Sequence, residues 1–181
     1  MMKRFIRSAL VVGVCLTPLT VPMMVQPSWG QSQNAQVQEV ERLIQQVRQQ
    51  QQQGQPQQAI ETWQQILAIA RQLQDGKTEA LALLAIGWNY ERIGQKQQAL
   101  DFFNQALAIF KKLRASAGVA IILNNIGGVY DSISQPQEAL KYYNQALPIW
   151  REVGDRGGLA TTLTNIGGVY DSISQPQEAL K

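Results

Sequence analysis

The stretch NIGGVYDSISQPQEALK, Asn125 to Lys141, recurs without a change as Asn165 to Lys181, forty positions further along the chain. Moving outward from it by the same step, Tyr130, Ser134, Ala139 and Tyr143 stand against Tyr90, Gly94, Ala99 and Phe103, and one step earlier against Gly54, Ala59 and Trp63. Self-similarity at a fixed period means an array of stacked supersecondary units, so the unit and not the whole chain is the thing to read first. Four units of forty residues are visible.

Within a unit the apolar residues follow helical spacing: Val119, Ile122, Leu123, Ile126, Tyr130 and Ile133, then Ala139, Tyr143, Ala146, Leu147 and Trp150. Each unit therefore reads as two amphipathic helices. The break between them is Gly54-Gln55-Pro56, Gly94-Gln95-Lys96 or Ser134-Gln135-Pro136. Glycine suits a left-handed stop to the first helix, and proline suits the first turn of the second, where its missing N–H costs nothing. Ser134 with Gln137 also fits a capping box at the start of that helix.

Leu123-x-x-Ile126-Gly127-x-x-Tyr130, followed by Ala139-x-x-x-Tyr143 and Ala146, resembles the tetratricopeptide pattern W-x2-L-G-x2-Y with A-x3-F. Gly127 and Ala139 are small enough to let the paired helices approach, and Gly87 with Ala99 and Gly167 with Ala179 repeat the device. The resemblance implies an all-α fold, a right-handed α-solenoid of antiparallel helix pairs with three full repeats and a partial fourth. The family unit is roughly 34 residues. The six extra residues here are expected in the helix ends and in inter-repeat loops around Asp75-Gly76 and Gly154-Asp155-Arg156-Gly157. This longer unit is similar to kinesin-light-chain-type repeats and to arrays that precede caspase-like domains in some bacterial proteins.

The expected organisation is a signal peptide over 1–30, a Gln-rich capping repeat over 31–76, full repeats over 77–116 and 117–156, and a truncated repeat over 157–181. The first unit departs from the pattern, with Val47 and Gln50 where later units have Gly87 and Tyr90, and with five glutamines from Gln49 to Gln53. A polar terminal unit is what a solenoid needs where its outer face meets water. A Gln-rich linker is the alternative for 31–53, although Val40, Leu43, Ile44 and Val47 keep helical spacing. The chain stops at Lys181 inside its fourth unit, which reads as a truncated array with an open apolar face on its last inner helix, a surface for self-association.

At the other end, Lys3, Arg4 and Arg7 precede an apolar stretch from Ala9 to Leu16, prolines at 18 and 22, and a small-x-small site, Ser28-Trp29-Gly30. That is the layout of a secretory signal cleaved after Gly30, which predicts an exported protein in the periplasm or outside the cell. Retention as an anchor is the alternative, and the proline-broken stretch is short for a bilayer span. After cleavage no stable membrane insertion is expected.

Composition removes whole classes of function. The net charge of +3 comes from the three leader cations; without them 13 cations face 13 anions, so no basic stripe points to nucleic acid. Histidine is absent and Cys15 is the one cysteine, which excludes histidine-based triads, histidine-ligated metals and a disulfide framework. Asp131, Asp155, Asp171, Glu138 and Glu178 recur with the repeat and lack metal-loop spacing, and Gly127-Gly128 and Gly157-Gly158 have no phosphate-loop context. No catalytic residue, metal or cofactor is expected, and the chain is not expected to be an enzyme.

What remains is a binding surface. The inner helices of stacked units line a concave groove, whose stripe is Ile121, Asn124, Asn125, Gly128, Asp131 and Ser132 in unit three and Thr161, Thr164, Asn165, Gly168, Asp171 and Ser172 in unit four. In the resembled family an asparagine at the place of Asn125 and Asn165 bonds the backbone of an extended peptide, since an amide both donates and accepts. The lysine that leads a carboxylate clamp in that family is replaced by Leu84, Asn124 and Thr164, which argues against chaperone-tail binding. Trp63 and Trp150 read as core, whereas Trp88 stands where the next units have Gly128 and Gly168, on the groove side. The candidate contact set is Trp88, Asn89, Asn124, Asn125, Asp131, Thr164, Asn165 and Asp171, and the expected partner is a protein or peptide. Two readings of the role remain: an exported interaction scaffold, or the recognition array of a larger protein with an effector domain beyond Lys181.

Overall fold

The computed structural model describes residues 28–174, with side chains placed from residue 33 onward. Seven helices follow one another: α1 (Ser28–Gln52), α2 (Pro56–Gln72), α3 (Gly76–Arg92), α4 (Lys96–Lys112), α5 (Ser116–Ser132), α6 (Pro136–Val153) and α7 (Arg156–Ser174). No strand occurs among the described residues. The signal segment up to residue 27 and the expected start of the last outer helix, 175–181, lie outside the described residues. The expected cleavage point after Gly30 falls just inside α1.

The period of forty has a simple construction. Helices α2 to α5 are each 17 residues long and begin at Pro56, Gly76, Lys96 and Ser116, so helix plus three-residue turn makes twenty and a pair makes forty. The turn between units, Leu73-Gln74-Asp75, is as short as the turn within a unit, Ile93-Gly94-Gln95. The expectation of lengthened inter-repeat loops is therefore corrected: the extra residues lie in the helices. Gly76 and Gly157, which read as loop residues, belong to the first turns of α3 and α7.

Every turn closes the same way. One residue enters the left-handed region: Gly54, Gln74, Gly94, Arg114, Ser134 and Gly154, with φ from 54° to 78°. The N–H of the residue after it donates to a carbonyl five positions back, as in Gln95 N to Tyr90 O at 2.9 Å and Asp155 N to Trp150 O at 3.1 Å. This pattern satisfies the carbonyls that a helix C-terminus leaves over. Ser134, with φ 60°, is this stop residue, and α6 is preceded by Gln135 with no side-chain cap, so the capping-box reading is also corrected. Side-chain caps instead sit at two of the turns between units, while Ala115 before α5 offers none. Asp75 accepts from the N–H groups of Lys77 and Thr78, and Asp155 from that of Gly158. The Thr78 hydroxyl and amide hold the Asp75 carboxyl below the usual range.

Glycine–aromatic contacts pull the helices together, both within and between units. A Cβ on Gly87 would lie 2.6 Å from the Phe103 ring, and one on Gly127 2.6 Å from the Tyr143 ring, each joining the two helices of a unit. Gly118 stands equally close to Phe110, and Gly158 at 2.6 Å to Trp150, each joining one unit to the next. The first pair of contacts is legible in the resembled motif; the second lies outside it. Buried alanines, Ala99 and Ala106 on α4 and Ala139 and Ala146 on α6, supply the flat side of each contact. Stacked rings, Tyr90 on Phe102 and Tyr130 on Tyr142 with centroids 5.3 and 5.4 Å apart, close the end of each pair.

The two ends of the array differ. In α3, Ala82 and Ile86 are buried and Tyr90 packs against the core, and forty residues earlier α1 carries Arg42, Gln46 and Gln50. Arg42 is exposed, Gln46 is part-buried with its amide toward Thr62 of α2, and Gln50 is buried; Leu43 and Val47 are buried with the core, so the first unit is a helix pair and not a linker. At the far end, the covering that α6 gives α5 has no counterpart over α7 among the described residues. Leu163 is 47% exposed where Leu123 is 3%, and Tyr170 is 55% exposed. On α7, Val169 packs inward against Ala139 and Tyr143, and Thr162 is also fully buried.

Candidate concave interface

The first helices of the units lie on one side of the array. α5 and α7 touch directly, and the ends of α1 and α3 meet around a hollow. Their shared face carries the residues expected to bind a partner, and the structure sorts those residues into three groups.

Trp88, Asp131, Thr164 and Asp171 are exposed, as the groove reading requires. Trp88, at 45%, is the most exposed of the tryptophans whose side chains are placed; Trp63 is half-buried and Trp150 buried. The Thr164 hydroxyl donates back to Ala160 O at 3.0 Å, so its free capacity is as an acceptor.

Asn124 and Asn165 face each other across the α5–α7 boundary. Asn165 Nδ2 approaches Asn124 Oδ1 at 3.4 Å, a long bond. Thr162 Oγ1 lies 3.1 Å from the same Asn124 oxygen and 2.9 Å from Gly158 O, and its single proton serves one of the two at a time. Trp150 Nε1 donates to Thr162 Oγ1 at 3.0 Å. Asn124 Oδ1 therefore helps to hold α7 on the array, while the residue stays part-exposed on the shared face. Thr162 is the residue that sequence reasoning misses. It stands where Ala82 and Ile122 occupy the core, and a polar residue at a core register is the available signal.

Asn125 and Asn89 are polar groups left short of partners. Asn125 Nδ2 is sealed from water with no hydrogen bond. The forty-residue register explains it: in the preceding unit the position of Asn124 is held by Leu84, which offers no acceptor. Asn89 is 2% exposed, so it is not on the open face as expected; it takes the core register of Val129 and Val169. Its Nδ2 donates to Ala85 O at 2.8 Å, and its Oδ1 has no partner. An unpaired buried carbonyl costs about 1–3 kcal/mol. Asn89→Val is thus expected to stabilise the array by about 1–2 kcal/mol in chemical denaturation; a lower midpoint would contradict this burial account.

Charge on this face is mixed. Glu91 lies 3.8 Å from Lys96, and Arg92 and Asp131 are exposed. Tyr143 points its hydroxyl toward Gly128, 3.7 Å from where a Cβ would be. Burial, with lesser contributions from Asp131 and Glu91, pushes its phenol up to about 12, so it stays neutral in the floor of the groove. Among the described residues no group of acidic, cysteine or histidine side chains is arranged to hold a metal, and no helix is long and apolar enough to cross a membrane.

The same architecture recurs in solved structures. The chain superposes on BtubC (BKLC) from P. vanneervenii with a TM-score of 0.66 at 18% identity, over 82% of this chain and 68% of that one. A kinesin-light-chain protein from Podosopora anserina with nearly identical TPR-like repeats gives a TM-score of 0.63 at 23% identity, over 77% and 69%. The TPR domain of Arabidopsis FLU gives 0.60 at 22%, over 66% and 99%. At these identities the likeness is one of fold. No curated protein matches the chain significantly. The tetratricopeptide repeat family model matches residues 47–112 and 118–181, most of the sequence. Its arrays are protein–protein interaction scaffolds. With the forty-residue helix pairs and the glycine–aromatic seams already described, that match identifies the chain as a member of the tetratricopeptide repeat family.

Proposed function

We propose that this chain is an exported scaffold that holds an extended segment of another protein along the shared face of α3, α5 and α7, with Asn125 bonding the segment's backbone. The observation that carries the reading is Asn125, part-exposed on the shared face, whose Nδ2 is buried without a partner in the free chain and meets a peptide carbonyl once its side chain turns into the groove. A peptide carbonyl is the acceptor it lacks, and backbone recognition suits a face with few charges of one sign. Asn165 supports the same segment less strongly, because its Nδ2 is shared with Asn124.

A displayed library of extended peptides, selected on the whole chain, tests this. Asn125→Ala is expected to weaken the selected peptides about three- to tenfold, the worth of one net hydrogen bond, and Asn165→Ala less, with helicity unchanged. Undiminished binding to Asn125→Ala would place recognition elsewhere. Export rests on the leader residues Lys3 to Gly30. Intact mass of the protein recovered from an exported fraction is expected to begin at or near Gln31, and a product keeping residues 1–29 on the membrane would refute cleavage.

A further inference from the structure

Asn165 of α7 and Asn125 of α5 stand at the same register, yet only Asn165 is held in the free chain. Asn165 Nδ2 reaches Asn124 Oδ1 at 3.4 Å, whereas Asn125 Nδ2 has no partner and Leu84 stands where an acceptor would be. Turning the Asn165 amide into the groove lengthens a bond already at the limit, and the loss falls on Asn124 Oδ1. One other donor lies within reach of that oxygen among the described residues, Thr162 Oγ1 at 3.1 Å. Thr162 is fully buried, so a bound segment does not reach it. Its hydroxyl carries a single proton, for which Gly158 O competes at 2.9 Å. That carbonyl also receives the backbone N–H of Thr162 within α7, so it is not orphaned when the hydroxyl turns away. Trp150 Nε1 donates to the same hydroxyl oxygen at 3.0 Å and holds it in place. Rotation of the hydroxyl alone therefore carries the proton from Gly158 O to Asn124 Oδ1, with no heavy atom displaced.

We propose that Thr162 is a positioning residue of the groove: its hydroxyl turns onto Asn124 Oδ1 as Asn165 leaves, and so frees the Asn165 amide for the backbone of the bound segment. The preceding joint has no such device. Ile122 stands at the register of Thr162, Leu84 at that of Asn124 and Phe110 at that of Trp150. Asn125 needs none, since nothing holds its amide. The inference rests on the peptide-binding reading above and adds the buried residue through which the second asparagine is released.

The whole 15N-labelled chain, titrated with the tightest peptide that the displayed library yields, tests this, with the side-chain amides of Asn125 and Asn165 as separate reporters. In the unsubstituted chain both signals are expected to shift saturably. Thr162→Val removes the proton and keeps the shape, at a register where Ala82 and Ile122 are buried. It is expected to leave the Asn125 shift unchanged and the Asn165 signal near its free position. The peptide is expected to bind about two- to threefold more weakly, the share of one net hydrogen bond that Asn165 supplies. Thr162→Ser keeps the hydroxyl and is expected to restore both the Asn165 shift and the affinity. In an Asn165→Ala background, Thr162→Val is expected to have no further effect on binding. An Asn165 signal that shifts as fully with Thr162→Val would overturn the relay, because water on Asn124 or the second amide proton of Asn165 would then suffice. A loss of affinity that persists in the Asn165→Ala background, or that Thr162→Ser fails to rescue, would also overturn it and point to a loosened α7. Asn125 shifting alone in the unsubstituted chain would overturn the relay and leave the groove reading standing, and silence at both amides would overturn both readings.

Discussion

Gly127→Leu is expected to lower the stability of the array by about 1–3 kcal/mol, while Gly128→Ala, at the next residue, is expected to cost nothing. A Cβ at Gly127 would lie 2.6 Å from the Tyr143 ring, and that ring is buried between α5 and α7 and cannot swing away. Leucine adds three more carbons to the same space. A Cβ at Gly128 would lie 3.7 Å from the Tyr143 hydroxyl, an ordinary contact, and alanine gains roughly the 1 kcal/mol of helix propensity that glycine forfeits. Chemical denaturation followed by circular dichroism reads both. Equal effects of the two changes would mean that α6 does not seat on α5 as described.

Trp150→Ala is expected to cost about 3–5 kcal/mol where its effect is felt, at the joint between units three and four. The ring fills the space over Gly158, 2.6 Å from where a Cβ would stand, and its Nε1 donates to the buried Thr162 hydroxyl at 3.0 Å. Losing it removes the packing and the donor to the Thr162 hydroxyl in one step, although that hydroxyl keeps its own proton on Gly158 O or Asn124 Oδ1. Thr162 and Asn124 then lose the geometry that holds α7. Hydrogen exchange should show Thr162 to Val169 losing protection while α3 and α4 keep theirs, because a repeat array transmits a defect through nearest neighbours. Uniform loss along all seven helices would indicate a single cooperative unit instead.

Much of this fold is legible in residues 125–141 and their copy: the period, the two helices and the small residues at their crossing. Loop length is not, because Asp75-Gly76 looks like a turn, whereas the aspartate caps a helix that already begins at the glycine. Ser134 looks like an N-cap by its spacing, yet it takes the left-handed stop that Gly54 and Gly94 fill in the other units. The binding face is legible in outline, with one residue misplaced and one contact hidden. Asn89 reads as lying beside Trp88 on the open side, although its register with Val129 and Val169 already marks a core position. The engagement of Asn124 Oδ1 is not legible, because its partners, Thr162 and Asn165, come from the next unit and meet it only through packing. The inter-unit contacts Gly118–Phe110 and Gly158–Trp150 escape for the same reason: each joins residues on opposite sides of a turn between units.

Hydrogen exchange of the whole chain, with and without a peptide selected from the displayed library, tests the central claim most directly. Bound peptide is expected to slow exchange along α3 and α5, centred on Trp88 and Asn125, with a smaller effect on α7 near Asn165 and none on the outer faces of α2, α4 and α6. Protection confined to the outer helices or to the turns, with α3 and α5 unchanged, would contradict the assignment of the shared inner face as the place where a partner is held.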